Sequence, residues 1–196
     1  MKQRIIIALV VLVAMTACSQ LKSLYQLKNC EYSYNSISGI KVADIDCSST
    51  SSVLQASNLL KIAKLIATNF KELPIELTVN INVKNPGTQT AAICYMDYDI
   101  AIDDIDVASG DIQKAFSVEG GKTAVLPLSI KTDLGNVIDS ENRSKVVAIV
   151  KNFAGISGEA STIKLQLRPT VQLSKNVKTQ LPSIPVSFTY SGKKKS

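Results

Sequence analysis

IELTVNINVKNPG, from Ile75 to Gly87, is the stretch that decides the fold. Ile75, Leu77, Val79, Ile81 and Val83 alternate with Glu76, Thr78, Asn80, Asn82 and Lys84. A period of two places every apolar side chain on one face of a strand and every polar one on the other. Asn85-Pro86-Gly87 then ends the run, because proline donates no ladder hydrogen bond and glycine opens a turn. A strand half buried in this way needs a second layer over its apolar face.

The same period recurs downstream. Cys94, Met96, Tyr98, Ile100 and Ile102 share one face of a second strand with Tyr95, Asp97, Asp99 and Asp103 opposite, and a turn is expected near Ser109-Gly110. Gly120-Gly121 punctuates the chain before Leu126, Leu128 and Ile130. Two more alternating runs follow, Ile163, Leu165 and Leu167, then Val186, Phe188 and Tyr190, with Pro182 and Pro185 marking a sheet edge. Short strands separated by turn signals predict a mainly β, two-sheet sandwich. Two accessory helices are expected, at about 51–70 and 140–153, the second stopped near Gly155. In the first, Ser57, Lys61, Lys64 and Thr68 recur on one side while Leu59, Leu60, Ile62, Ala63, Ile66 and Phe70 fill the other. That wide apolar face is expected to pack on the core.

Upstream, Lys2 and Arg4 precede an apolar run from Ile5 to Met15 that ends in Thr16 and Ala17. This is the order of a secretory signal, and the run is too short for the roughly 20 residues that cross a bilayer. Met15-Thr16-Ala17-Cys18 resembles the lipobox of bacterial lipoproteins, with methionine where leucine is commonest. The resemblance implies removal of residues 1–17 and acylation of Cys18, a lipid anchor followed by a short tether over 18–26. Ser19 after the cysteine resembles the signal for an outer-membrane destination, facing the periplasm. The domain proper is expected over 27–190 and a basic tail over 191–196. About 180 residues then remain, one domain of ordinary size.

Of the formal net charge of +6, Lys2 and Arg4 belong to the signal and Lys193, Lys194 and Lys195 to the tail, so the folded part is near neutral. Without aromatics interleaved among its cations, the tail gives no argument for nucleic acid. Cys30, Cys47 and Cys94 are an odd set behind Cys18. A two-residue turn at Ser38-Gly39 would set Cys30 opposite Cys47, Tyr32 opposite Ile45 and Tyr34 opposite Ala43. That spacing admits a Cys30–Cys47 disulfide and, equally, two buried free thiols.

The chain contains no histidine, which excludes Ser-His-Asp and Cys-His catalysis and histidine-ligated zinc. Gly121-Lys122-Thr123 ends like a phosphate-binding loop, but Phe116 stands where its first glycine belongs. Gly155-Ile156-Ser157-Gly158-Glu159 is no nucleophile elbow, since Glu159 replaces the last glycine. Asp97, Asp99, Asp103, Asp104 and Asp106 concentrate negative charge, yet as a calcium loop Ile102 replaces the glycine and Ala108 the closing glutamate. A solvated strand face protecting an edge is the expectation. No enzyme, cofactor or metal is expected.

LTVNINVKNPG (Leu77 to Gly87), the strand from Ala92 to Ile105 and TAVLPLSI (Thr123 to Ile130) together resemble the LEA type 2 family, also called LEA14-like or WHy-type domains. The resemblance runs from roughly Leu73 to Tyr190. It implies an immunoglobulin- or fibronectin-III-like sandwich and an association with stress and desiccation. Gly87 stands where asparagine is frequent, and the chain has neither the tryptophan nor the histidine after which WHy domains are named. The expected function is a nonenzymatic, membrane-anchored envelope module, in binding, support or stress protection, with an envelope protein as partner. The alternative is a carrier or sensor of a small apolar ligand such as a lipid, held between the sandwich and the first helix.

Overall fold

The computed structural model describes residues 27–47, 55–67, 72–93, 95–156, 159–174 and 177–192. A helical turn at 27–29 leads into β1 (Glu31–Val42) and β2 (Ile45–Asp46). Helix α1 (Ala56–Ala67) precedes β3 (Pro74–Lys84), β4 (Ala91–Ile93), β5 (Tyr95–Ile102), β6 (Ile105–Ile112), β7 (Phe116–Val118) and β8 (Thr123–Asp133). A 3-10 helix (Leu134–Val137), α2 (Arg143–Phe153), β9 (Ser161–Ser174), β10 (Val177–Gln180) and β11 (Ile184–Tyr190) complete the order.

Two antiparallel sheets face each other. The first has the order β2-β1-β3-β8, and the second places β6, β5 and β9 in line with β10 and β11 both on the far side of β9. Lettered A, B, C, C′, E, F and G, the strands β1, β3, β5, β6, β8, β9 and β11 form sheets ABE and GFCC′, the immunoglobulin-like arrangement. The expected β-sandwich with two accessory helices is what the chain forms. β3 lies at the centre of the first sheet, and Ile75, Leu77, Val79, Ile81 and Val83 all point into the core, at most 4% exposed. Each such side chain contributes about 1.5–3 kcal/mol by leaving water. Met96, Tyr98, Ile100 and Ile102 of β5 and Ile163, Leu165 and Leu167 of β9 meet them from the second sheet.

Side chains close the gaps between the sheets. Tyr34 of β1 stacks on Phe188 of β11, ring centroids 4.0 Å apart, and the Thr132 hydroxyl of β8 donates to the Val107 carbonyl of β6 at 2.5 Å.

Two expected turns lie elsewhere. β1 runs straight through Ser38-Gly39, where Gly39 (φ +62°) absorbs a bulge between Ser38 and Lys41. The chain reverses at Ala43-Asp44 instead, with Val42 opposite Ile45. Likewise Ser109 and Gly110 lie inside β6, and β5 reverses at Asp103-Asp104. Both aspartates have positive φ, 50° and 66°, the mirror-image turn whose twist suits a two-residue hairpin. Gly110 is there for space: a Cβ on it would sit 2.6 Å from the Tyr98 hydroxyl. Helix α2 begins at Arg143 rather than Ser140, because Asp139 Oδ1 accepts from the Glu141 and Asn142 amides, 2.8 Å each, and holds a turn there.

Candidate functional site

At the end of the sandwich where β3 stops, Asn85 is fully buried. Its Nδ2 donates to the Gln89 carbonyl (2.7 Å) and the Val118 carbonyl (3.1 Å), and its Oδ1 accepts from the Gly87 amide (3.0 Å). Its backbone bonds Lys122 and Gly121, so one residue ties β3 to β7 and to the turn before β8. Gly120 passes so close that a Cβ would lie 2.4 Å from the Thr88 carbonyl carbon. Saturated and closed to solvent, this corner is a structural knot rather than a site. The sequence reading took Asn85-Pro86-Gly87 only as a strand breaker.

The acidic residues spread along the outer face of the second sheet and its hairpin, and four of the five have separate partners. Asp99 pairs with Arg168 and Asp104 with Lys164 (2.6 Å), Gln180 donates to Asp97 at 2.9 Å, and Asp103 Oδ1 accepts the Thr162 amide at 2.8 Å. The hydrogen bond and charge of Arg168 hold the Asp99 carboxyl below its usual range, and Lys164 does the same for Asp104. Among the described residues no three metal-ligating side chains converge. The expectation of edge protection needs correcting for Asp97 and Asp99: β5 is flanked by β9 and β6, and guards no edge.

The thiols take one of the two alternatives their spacing left open. Cys30 is buried and Cys47 half-buried, and both are free. Moving the hairpin from Ser38-Gly39 to Ala43-Asp44 separates them. Cys30 stands just before the start of β1, whereas the Cys47 amide bonds the Ile40 carbonyl near its end. Burial pushes both thiols up, away from the reactive thiolate. Cys18, Cys94 and Lys193 to Lys195 lie outside the described residues.

At the opposite end from Asn85, α1 packs by a narrow stripe. Ile62 is buried with Ile45 and Ala154 in a small cluster that Cys47 borders. Asn58 and Leu65, on the same side, are half-buried. Of the expected apolar face, Leu60 is 71% exposed, Leu59 36%, and Ala63 is exposed as well, while Phe70 and the side chain of Ile66 lie outside what the structure describes. The helical period revealed which side of α1 is apolar, but only the structure reveals that Ile62 is covered while Leu59, Leu60 and Ala63 are exposed. Between α1 and the β1–β2 turn lies an open pocket of about 240 Å³, lined by Ala43, Asp44, Lys61, Lys64 and Leu65. Its size is below that of ordinary small-molecule clefts, about 300–1,000 Å³, and it is wide open to solvent.

A family model described as late embryogenesis abundant protein, LEA type 2, matches residues 80–187. The chain has no match among curated proteins. It is similar to a protein from Archaeoglobus fulgidus of known crystal structure, with 13% identity over 82% of this chain and 98% of that one and a TM-score of 0.37. A protein from Arabidopsis thaliana, known in solution, is 14% identical over 62% of this chain and 72% of its own, TM-score 0.43. A third, a putative late embryogenesis abundant (LEA) protein known in solution, is 17% identical over 95% of this chain and 85% of its own, TM-score 0.41.

Proposed function

Because the chain belongs to the late embryogenesis abundant family of LEA type 2 domains, we propose that it is a nonenzymatic, stress-related module held at a bacterial envelope membrane by a lipid on Cys18. The family match over 80–187 is the observation that carries the reading. The chemistry of the chain agrees with it: histidine is absent, and the aspartates that could serve as acids or bases are spread along a solvated face in separate pairs. The lipobox-like Met15 to Cys18 supports the anchor, and Ser19 supports the outer membrane as its place. Nine residues, 18–26, join Cys18 to the first described turn, and a fully extended chain of that length reaches roughly 32 Å. A protein partner therefore lies in or near the anchoring membrane. A carrier of a small apolar ligand has less support, because the pocket beside α1 is small and open.

Mass spectrometry of the protein from membranes tests the anchor, with Cys18→Ala as the variant. The parent should begin at an acylated Cys18, and the variant should lose both the acyl mass and the processing. Normal acylation and membrane retention of Cys18→Ala would overturn the proposal. The stress role is tested separately by survival of cells lacking the protein after drying and osmotic upshift, and unchanged survival would refute it.

A further inference from the structure

Helix α1 carries apolar residues on two sides. Ile62 and Leu65 face the domain, the first buried and the second half-buried against the core. Ala56, Leu60, Ala63 and Ala67 recur at steps of four, three and four, so at 3.6 residues per turn they lie within about 60° of one another on the opposite side. All four are exposed, Leu60 by 71%, and Leu59 borders them at 36%. Ser57, Lys61 and Lys64 are confined to one flank. A surface helix ordinarily turns one apolar stripe to the core and a polar back to water. The back of α1 is instead a second stripe, made of one leucine among three alanines.

The order of large and small along that stripe is complementary to itself. A second α1 running antiparallel, about a twofold axis midway between Leu60 and Ala63, sets each Leu60 against the other copy's Ala63 and each Ala56 against its Ala67. The leucine fills the room the alanine leaves, and the small residues let the helices approach closely. The same axis brings Lys64 beside the second copy's Ser57 rather than its Lys64. A parallel pair would set leucine on leucine and leave gaps at the alanines. Charge points the same way. Lys61, Lys64 and Lys151 share this end of the domain with Asp44, Asp46 and Glu159, so the surface suits an occupant that brings both signs, as a second copy does. From this self-complementarity we infer that the stripe Ala56, Leu60, Ala63 and Ala67 is a self-association surface, covered by the same stripe of a second copy of the chain. A helix of 12 residues is roughly 18 Å long, so one pair of them covers less than the about 1,200 Å² of a standard interface, and the association is reversible. The inference does not depend on acylation of Cys18.

Two differently tagged copies of the full chain, expressed in the same cells and cross-linked with formaldehyde, read the pairing: one tag is captured and recovery of the other is measured. The parent copies should recover each other. Leu60→Ala removes both large side chains from the contact and should lower recovery at least about tenfold. Ala63→Leu sets leucine against leucine and should lower it too. Combining Leu60→Ala with Ala63→Leu exchanges the large and small positions, so every pair again holds one leucine and one alanine and recovery should return. Both positions are exposed on the single domain, so circular dichroism of each variant should match the parent. Parent copies that fail to recover each other, or recovery that Leu60→Ala leaves unchanged, would overturn the inference. So would recovery that Ala63→Leu raises, as added apolar area would at a lipid surface. A double variant no better than the single ones, the result expected when a different protein covers α1, would overturn it as well.

Discussion

Removing the Asn85 side chain should damage the fold out of proportion to its size. Asn85→Ala deletes three hydrogen bonds and leaves the Val118 carbonyl in a buried corner without the donor that satisfied it. At a net 0.5–1.5 kcal/mol for each bond, the expected loss is roughly 2–4 kcal/mol. For a domain of this size that corresponds to about 5–15 °C in Tm. Urea unfolding followed by circular dichroism should show a lower midpoint with an unchanged slope. Asn85→Asp sharpens the test, because an ionised carboxylate cannot donate to the Gln89 and Val118 carbonyls. Burial among acceptors raises the folded-state pKa of that carboxyl above its unfolded value of about 3.9. The neutral acid is then favoured by folding, so the variant is most stable below the unfolded pKa and loses stability as pH rises through the folded one. A loss under about 0.5 kcal/mol in Asn85→Ala, within the range of ordinary surface changes, would refute the reasoning. So would a deficit in Asn85→Asp that does not change with pH.

Two further outcomes follow from the same packing. Gly120→Ala should destabilise more than Gly110→Ala, because the new methyl meets the Thr88 backbone at 2.4 Å in the first case and the end of a movable tyrosine side chain in the second. Thermal melts of the two variants side by side decide it, and the reverse order would count against the close approach at Gly120. Arg168→Gln should return the Asp99 carboxyl toward its ordinary range, which carboxyl titration by NMR reads directly. The folded-state pKa of Asp99 is lowered by Arg168. The parent's advantage over this variant is therefore present above the unfolded carboxyl pKa and disappears as pH falls through the folded one. Equal stability of the two proteins at neutral pH would show the exposed pair to be energetically silent.

Strands β3, β5, β8 and β9 were legible in the sequence because one face of each is buried, and burial of one face is what imposes a period of two. The turns at Ser38-Gly39 and Ser109-Gly110 were misread because glycine has more than one physical use. Gly39 takes up a bulge and Gly110 makes room for a ring, while the true reversals use Ala43-Asp44 and Asp103-Asp104. Of the two alternatives open for Cys30 and Cys47, the position of the first of these turns decides for free thiols. Partners of the acidic residues were out of reach for a related reason: Asp99 and Arg168, like Asp104 and Lys164, meet through the register of β5 and its hairpin against β9. The apolar side of α1 was plain from its spacing, but coverage belongs to the tertiary structure, which buries Ile62 and leaves Leu59, Leu60 and Ala63 exposed.

The register also sets a timescale. Val79 pairs with Leu128 and Ile100 with Leu165, contacts separated by roughly 50 and 65 residues, the kind of topology that folds in milliseconds to seconds rather than microseconds. Neither sheet can assemble until most of the chain is present, since β8 completes the first and β9 is interior to the second. The segment matching the family, 80–187, begins within β3, past Ile75, Leu77 and Val79, and omits β1 altogether. The smallest piece able to close this core therefore starts upstream of the recognisable motif, at β1, and extends through β11. Until β9 arrives, the half-made sandwich holds its apolar strand faces open to whatever else is nearby.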